Sequence, residues 1–461
     1  MKNHKQKFVP NPSEVSILHA LTYGNAITRL SFIICGLANF LHKQFLKGIV
    51  FLGLEVAYFV YMIRYGITHI GNFITLGEQT QAEVFNPELG IYEYVAGDNS
   101  MLFLLYGVIT IFITLAFFVV MSASAKSAYN IQVRKSRNQP IATLRKDLAS
   151  LKQENLHKVM LFIPIIGILM FTIIPLVYMI LIAFTSYDHN HQPPGNLFDW
   201  VGFSNFTAMF AQGGKLAGTF WPVLGWTIIW AISATVTCFL FGTMLALLIN
   251  RKDTKLKSMW RFLFVLSIAV PQFVTLLSMR TIFNANGPVN VILRTLGIIG
   301  STDSIPFFTD PTIAKITIIC INIWIGVPFT MLSTTGILQN IPNELYEAAR
   351  LDGASPFTTF RKITLPYIIH VMTPYLITSF AGNINNFNVI FLLSGGGPDT
   401  MDYYYAGKTD LLVTWLYRLT ITQKDYNLGA VIGIMTFIVL ATVSLITYHR
   451  TSAYKNEGAF Q

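Results

Sequence analysis

Residues 343–366 read NELYEAARLDGASPFTTFRKITLP. Pro342 precedes a run of helix formers from Asn343 to Leu351, as expected where a short helix starts. Gly353 can take the left-handed backbone that ends a helix. Ser355 and Pro356 then open a second short helix, with Pro356 at its first position, and Pro366 leads into a long apolar run. The stretch encodes a helix-turn-helix knob set directly before a membrane-length segment.

Outward from this knob the chain is apolar. Of its 461 residues 53% are hydrophobic and 12% charged, whereas soluble domains carry roughly 25% charged residues. A span needs about 20 mainly apolar residues. Eight stretches meet or approach that length: 47–64, 101–121, 159–184, 222–250, 261–283, 313–338, 365–393 and 428–449. The shorter run 30–41, between Arg29 and the His42-Lys43 pair, reads as a surface helix, with a re-entrant hairpin as the alternative. With the N-terminus inside, 24 of the 32 Lys and Arg residues fall in inside segments and 5 in outside loops. Positive residues accumulate in cytoplasmic loops, so both termini are expected in the cytoplasm. The net charge of +10 is then a signal of topology and calls for no nucleic acid.

The polar and basic first 29 residues predict no cleavable leader. The stretches outside the spans, chiefly 65–100, 122–158 and 185–221, are too small for a catalytic domain. A phosphate-cradling loop needs G-x4-GK[ST], and the nearest sequence, DYYYAGKT at 402–409, has Asp402 in place of the first glycine. Cys35, Cys238 and Cys320 lie in apolar stretches without disulfide or metal spacing and read as small core residues. His189 and His191 read as plain polar residues, so no metal site is expected.

Polar side chains inside a span should face other helices, a cavity or a substrate. Asn322, Gly326 and Phe329 fall at i, i+4 and i+7, and Ser379, Asn383 and Asn386 repeat that spacing, each set defining one helical face. Amides both donate to and accept from hydroxyls, an aromatic ring offers an apolar face to a pyranose, and a glycine makes room. The set suits an uncharged carbohydrate, with interhelical bonding as the plainer alternative. Glu55 is an intramembrane carboxylate, with a functional and a structural reading both open.

Glu347-Ala348-Ala349, three residues, Gly353, nine residues, then Ile363, Leu365 and Pro366 match the EAA-x3-G-x9-I-x-LP signature at every specified position. On this motif the chain resembles the permease subunits of ABC importers. The segment SFAGNINNFNVIFLLSGGGP, residues 379–398, is similar to the seventh span and following loop of the larger permease of maltose-type importers. The resemblance implies an all-α polytopic membrane protein of about eight transmembrane helices with the type I importer permease fold. It implies a cytoplasmic N-terminal segment 1–46, two spans and a basic linker over 47–157, the permease domain over 158–450 with the coupling motif at 347–366, and a tail from 451 to 461. Glu347, Ala348, Ala349 and Gly353 would form the coupling helix that sits in a cleft of an ATPase subunit.

The family's sugar-contact positions fall here on Asn322, Ile325, Gly326, Phe329, Ser379, Gly382, Asn383 and Asn386, with Ile268 and Gln272 flanking Ala269-Val270-Pro271. Ile268, Gln272, Phe329 and Gly382 depart from the maltose pattern, which implies a roomier pocket. Some members carry a folded domain between the third and fourth spans; this chain has only the short 185–221 loop. The implied partners are a second, smaller permease, two ATPase subunits and an extracellular sugar-binding protein, all serving the plasma membrane of a bacterium. ATP would bind the partner ATPases, and this chain would hold no cofactor and catalyse no reaction. Maltodextrin is the foremost substrate, with galacto-oligosaccharide, raffinose or several sugars as alternatives. An ion-coupled transporter would need acids on the pathway, and Glu55 is the one offered; a membrane scaffold would leave the two rows of amides unexplained.

Overall fold

The computed structural model describes residues 16–141, 149–211, 213–251 and 253–449. The start of the expected N-terminal segment, the middle of the basic linker and the 451–461 tail lie outside the described residues. The chain divides into two compact units, Met1–Val201 and Gly202–Gln461. Among the described residues seven helices are long and apolar enough to cross a membrane, or eight if a pair bent by 90° is counted as one broken span.

The first unit contains three short helices, α1 (Ile17–Tyr23), α2 (Ala26–Leu30) and α3 (Leu37–Leu41), then the long helices α4 (Phe45–Thr75), α5 (Ser100–Ser136) and α6 (Leu156–Ile182). The run 30–41 is not the continuous surface helix expected. The chain turns between α2 and α3, with Gly36 at φ 82°, and a side chain there would meet the Gly48 carbonyl oxygen at 2.7 Å. Ser31, Cys35 and Gly36 of this turn are buried, Ile33 and Ile34 are exposed, and the turn is bonded to α4 and α5. The Glu55 carboxylate accepts the Cys35 N–H at 2.7 Å, and the Ser124 hydroxyl accepts the Gly36 N–H at 2.8 Å while donating to the Ser31 carbonyl at 3.1 Å. Glu55 therefore fastens the N-terminal segment to α4.

The first span runs to Thr75, past its expected end at residue 64, because ITHIGNFIT keeps apolar residues on one helical face. In the loop that follows, β1 (Ala82–Asn86) pairs antiparallel with β2 (Ile91–Val95), in a register from Ala82 opposite Val95 to Asn86 opposite Ile91. Aromatic and β-branched residues flank the turn residues between Asn86 and Gly90, a hairpin signal that the loop's acidity obscures.

The second unit opens with α7 (Ser204–Phe210) and α8 (Lys215–Asn250). Then come α9 (Lys257–Ala269), α10 (Gln272–Ile282), α11 (Pro288–Thr295) and α12 (Pro311–Gln339). The remainder is α13 (Asn343–Leu351), α14 (Pro356–Ile384), α15 (Phe387–Leu393), α16 (Leu412–Tyr417) and α17 (Tyr426–His449). Two spans expected to be continuous are broken. The stretch 261–283 bends by 90° between α9 and α10: Pro271 has no N–H to donate and holds Val270 in an extended conformation, φ −79° and ψ 126°. The stretch 365–393 stops at Ile384 and restarts at Phe387, in a sequence, NINN, whose side chains compete for the backbone. The core of this unit gathers Trp226, Trp230 and Ala234 of α8 with Ile318 and Ile321 of α12 and Val389, Ile390 and Leu393 of α15. α8 is thus the central helix against which the amide-bearing spans are placed.

Candidate functional site

The knob at 343–366 folds as its spacing predicts. After α13 the Gly353 N–H donates to the Arg350 carbonyl at 3.0 Å and the Ala354 N–H to the Ala349 carbonyl at 2.9 Å, the paired bonds of a Schellman helix end. Gly353 takes φ +69°. The Ser355 hydroxyl then accepts the Thr358 N–H at 3.2 Å and caps the next helix. Tyr346 and Thr364 hydroxyls, 3.1 Å apart, tie the two arms together. Ala349 is buried within this hairpin, while Glu347, Ala348 and Gly353 are exposed. Leu351 and Phe357, 89% and 70% exposed, flank the turn and were not singled out from the sequence. Two large apolar residues bracketing a glycine turn in a polar loop are the signal that marks them.

The amides meet α8. Asn383 Nδ2 donates to the Thr235 hydroxyl at 3.0 Å, and the Asn383 carbonyl accepts the Trp230 indole N–H at 3.1 Å. Asn386 Nδ2 reaches Asn383 Oδ1 at 3.4 Å, and Asn386 Oδ1 caps α15 through the Val389 N–H at 3.3 Å. On α12, Asn322 is 7% exposed, and its Nδ2 lies 3.5 Å from Cys238 Sγ. A side chain at Gly326 would come within 2.5 Å of the same sulfur, so the glycine sets the closeness of α8 and α12. Thr235 and Cys238, three residues apart on α8, thus bring together Asn383 of one span and Asn322 of another. Sequence reading placed Cys238 in the core and passed over Thr235; their i, i+3 spacing was the available signal.

The remaining positions are distributed more loosely. Ile325 packs against the tryptophan core. Phe329, half exposed, has its ring 5.9 Å from that of Tyr375. Ser379 shares a face with Asn383 and is partly buried, whereas Asn386 falls beyond the helix end and serves as a cap. Gly382 is exposed with open space around it. Ile268 and Gln272 flank the 90° bend and are exposed, and among the described residues no hydrogen bond joins Gln272 to the amides.

The loop after α15 is closed by a buried acid. Asp410, 1% exposed, accepts the Gly407 N–H at 2.7 Å and lies 3.5 Å from Arg418 Nε, while Arg418 also bonds Asp399 at 2.7 Å. Burial pushes the Asp410 carboxyl up to about 6 against the opposing pull of Arg418. Among the described residues no group of His, Cys, Asp and Glu side chains could hold a metal ion.

Comparison with known proteins agrees with this architecture. Residues 238–451 match the family described as "Binding-protein-dependent transport system inner membrane component". The galactooligosaccharides transport system permease protein GanP of Bacillus subtilis is 35% identical over 429 residues, covering 92% of this chain and 97% of that one. The maltodextrin transport system permease protein MalC of Streptococcus pneumoniae is 34% identical over 433 residues, covering 92% and 95%. A crystal structure of a bacterial ABC transporter involved in import of the acidic polysaccharide alginate shares the fold, with a TM-score of 0.54 at 24% identity over 66% of this chain and 96% of that one. With relatives this similar along nearly their whole length, the chain belongs to the binding-protein-dependent inner-membrane permeases and is a sugar permease subunit of an ABC importer.

Proposed function

We propose that the chain carries a neutral oligosaccharide, maltodextrin foremost, through a site between α8, α12 and α14. The observation that carries this reading is the set Thr235, Asn322, Asn383 and Asn386: amides and a hydroxyl, with no charged side chain among the described residues bonded to them. Such groups can exchange their mutual bonds for sugar hydroxyls, and they offer no cation to neutralise an acidic glycan's carboxylate. The exposed Phe329 ring supplies an apolar face for a pyranose. Ile325, Gly326, Ser379 and Gly382, with Ile268 and Gln272 at the bend, would shape the pocket around it. A galacto-oligosaccharide is the second reading, favoured by the GanP relative.

In this reading a second, smaller permease completes the pathway and two ATPase subunits drive it. An extracellular binding protein delivers the sugar, and both termini of the chain are cytoplasmic. Glu347, Ala348, Ala349 and Gly353 dock on an ATPase, with Leu351 and Phe357 as the apolar contacts of that interface. ATP closes the nucleotide-binding dimer, the knobs of the two permeases move together, and the helices open outward to receive the sugar; hydrolysis restores the inward-facing state. The test is ATPase activity of the reconstituted complex with its binding protein, screened against maltodextrins, galacto-oligosaccharides, raffinose, an acidic glycan and an amino acid. Stimulation by maltodextrin alone supports the reading, stimulation by galacto-oligosaccharide moves it to the second, and stimulation by the acidic glycan or the amino acid overturns the site.

A further inference from the structure

Resting on the orientation and the sugar reading given above, we propose that the cavity beside the start of α8 is a second glycan subsite, which holds a neutral oligosaccharide outside the membrane before it reaches the amides. The cavity has a volume of about 610 Å3, within the roughly 300–1,000 Å3 of small-molecule sites. Tyr403 and Tyr405 line it from the loop after α15, Arg418, Thr422 and Gln423 from the helical turn after α16, and Lys215 from the first turn of α8. Between Lys215 and Thr235 α8 rises about 30 Å at 1.5 Å per residue, so the cavity and the amide site are separate places. α14 and α15 lead from the knob to this loop, which sets the cavity on the side opposite ATPase docking.

The loop is fastened from behind and presents its rings to the cavity. The Tyr404 N–H donates to the Thr219 hydroxyl at 2.6 Å, its carbonyl accepts the Trp415 indole N–H at 2.8 Å, and its hydroxyl donates to the Asp425 carboxylate at 2.9 Å. Next to this anchor Tyr405 takes φ +50°, a left-handed backbone unfavourable to a residue with a side chain and kept where the surroundings impose it. Its ring is half exposed and stands edge-on to that of Tyr404, with centroids 4.8 Å apart. Arg418 is engaged within the protein by Asp399, the Gly395 carbonyl and Asp410. Among the described residues the Lys215 ammonium, the Thr422 hydroxyl and the Gln423 amide have no hydrogen-bond partner. An anionic ligand would meet Lys215 alone, since Arg418 is already neutralised. Free donors and acceptors beside a fixed aromatic ring match the hydroxyls and apolar faces of an uncharged pyranose chain, and a prearranged loop lowers the cost of binding it.

The experiment titrates the assembled complex, without its binding protein, with fluorescent maltohexaose, a fluorescent galacto-oligosaccharide and an acidic alginate oligosaccharide. A neutral glycan should bind the parent and should still bind Asn383→Ala with Asn386→Ala, in which the amide site is disabled. On that background Tyr405→Ala with Gln423→Ala should weaken binding about tenfold, through one lost hydrogen bond and the lost ring face, and Tyr405→Phe should leave it unchanged. Unchanged affinity in the tyrosine–glutamine variant, tighter binding of the alginate probe, or a loss confined to capture of the binding protein would overturn the subsite. If the amide variant alone abolishes binding while the tyrosine–glutamine variant binds and transports like the parent, the subsite fails and the amide reading stands. If no neutral glycan binds the parent or stimulates its ATPase, both fail. Should the tyrosine–glutamine variant not assemble, a photoreactive form of the bound glycan on the unaltered complex decides: labelling within 399–406 or 418–423 supports the subsite, and labelling only elsewhere refutes it.

Discussion

Gly353→Val separates a backbone requirement from simple crowding. At Gly353 an added Cβ would meet nothing within 4 Å, yet φ is +69°. Any cost therefore comes from the left-handed backbone, about 1–2 kcal/mol for an L-residue and the upper end of that for a β-branched side chain. At 1.4 kcal/mol per decade this corresponds to a roughly five- to thirtyfold loss in the population of the docking-competent knob. The affinity of the ATPase subunit for the permease pair, measured by titration in detergent, should fall by that factor. Gly353→Asn, which tolerates positive φ, should lie near the parent. Valine and asparagine variants that both bind like the parent would refute the assignment of this turn to ATPase docking.

Asn386→Ala removes the cap of α15 and should cost about 1 kcal/mol in thermal stability, whereas Asn386→Ser keeps a capping oxygen and should recover most of it. Thr235→Val breaks the bond to Asn383, worth roughly 0.6–2 kcal/mol in a membrane; if the amides contact sugar, uptake should fall more than the melting temperature does. Glu55→Ala leaves the buried Cys35 N–H without its acceptor, at about 1–3 kcal/mol, and should open residues 24–44 to protease, while Glu55→Gln retains an acceptor and should not. Asp410 titrates near 6 when folded, above its unfolded value, so the stability it contributes is present below pH 4 and lost as pH rises through 6. Hydrogen exchange across 394–411, corrected for intrinsic rates, should be slower at pH 5 than at pH 7.5, by up to about 1.4 kcal/mol of protection, and Asp410→Asn should flatten the difference.

The spans and the knob were legible because their signals are local. Twenty apolar residues announce a span whatever lies beside it, and Pro342, Gly353 and Ser355 mark the knob's start, turn and restart by their own backbone preferences. The breaks in two spans were partly legible. Pro271 carries the reason for the 90° bend, but hydropathy averages across it. Asn383 and Asn386 look like one polar helical face until the chain is seen to end its helix at Ile384. The partners of the amides were not legible, since Thr235 and Cys238 are 148 and 84 residues away from Asn383 and Asn322 and only packing brings them together. Glu55 shows the same limit: its partner is a backbone N–H in a turn whose shape depends on Gly36 meeting Gly48.

The most direct test is sugar accumulation by proteoliposomes holding the complete complex, with binding protein and labelled maltodextrin outside. Accumulation that requires ATP on the ATPase side and stops when the binding protein is omitted is the predicted result. Accumulation driven by an imposed ion gradient, without ATP or with the ATPase subunits removed, would contradict the account.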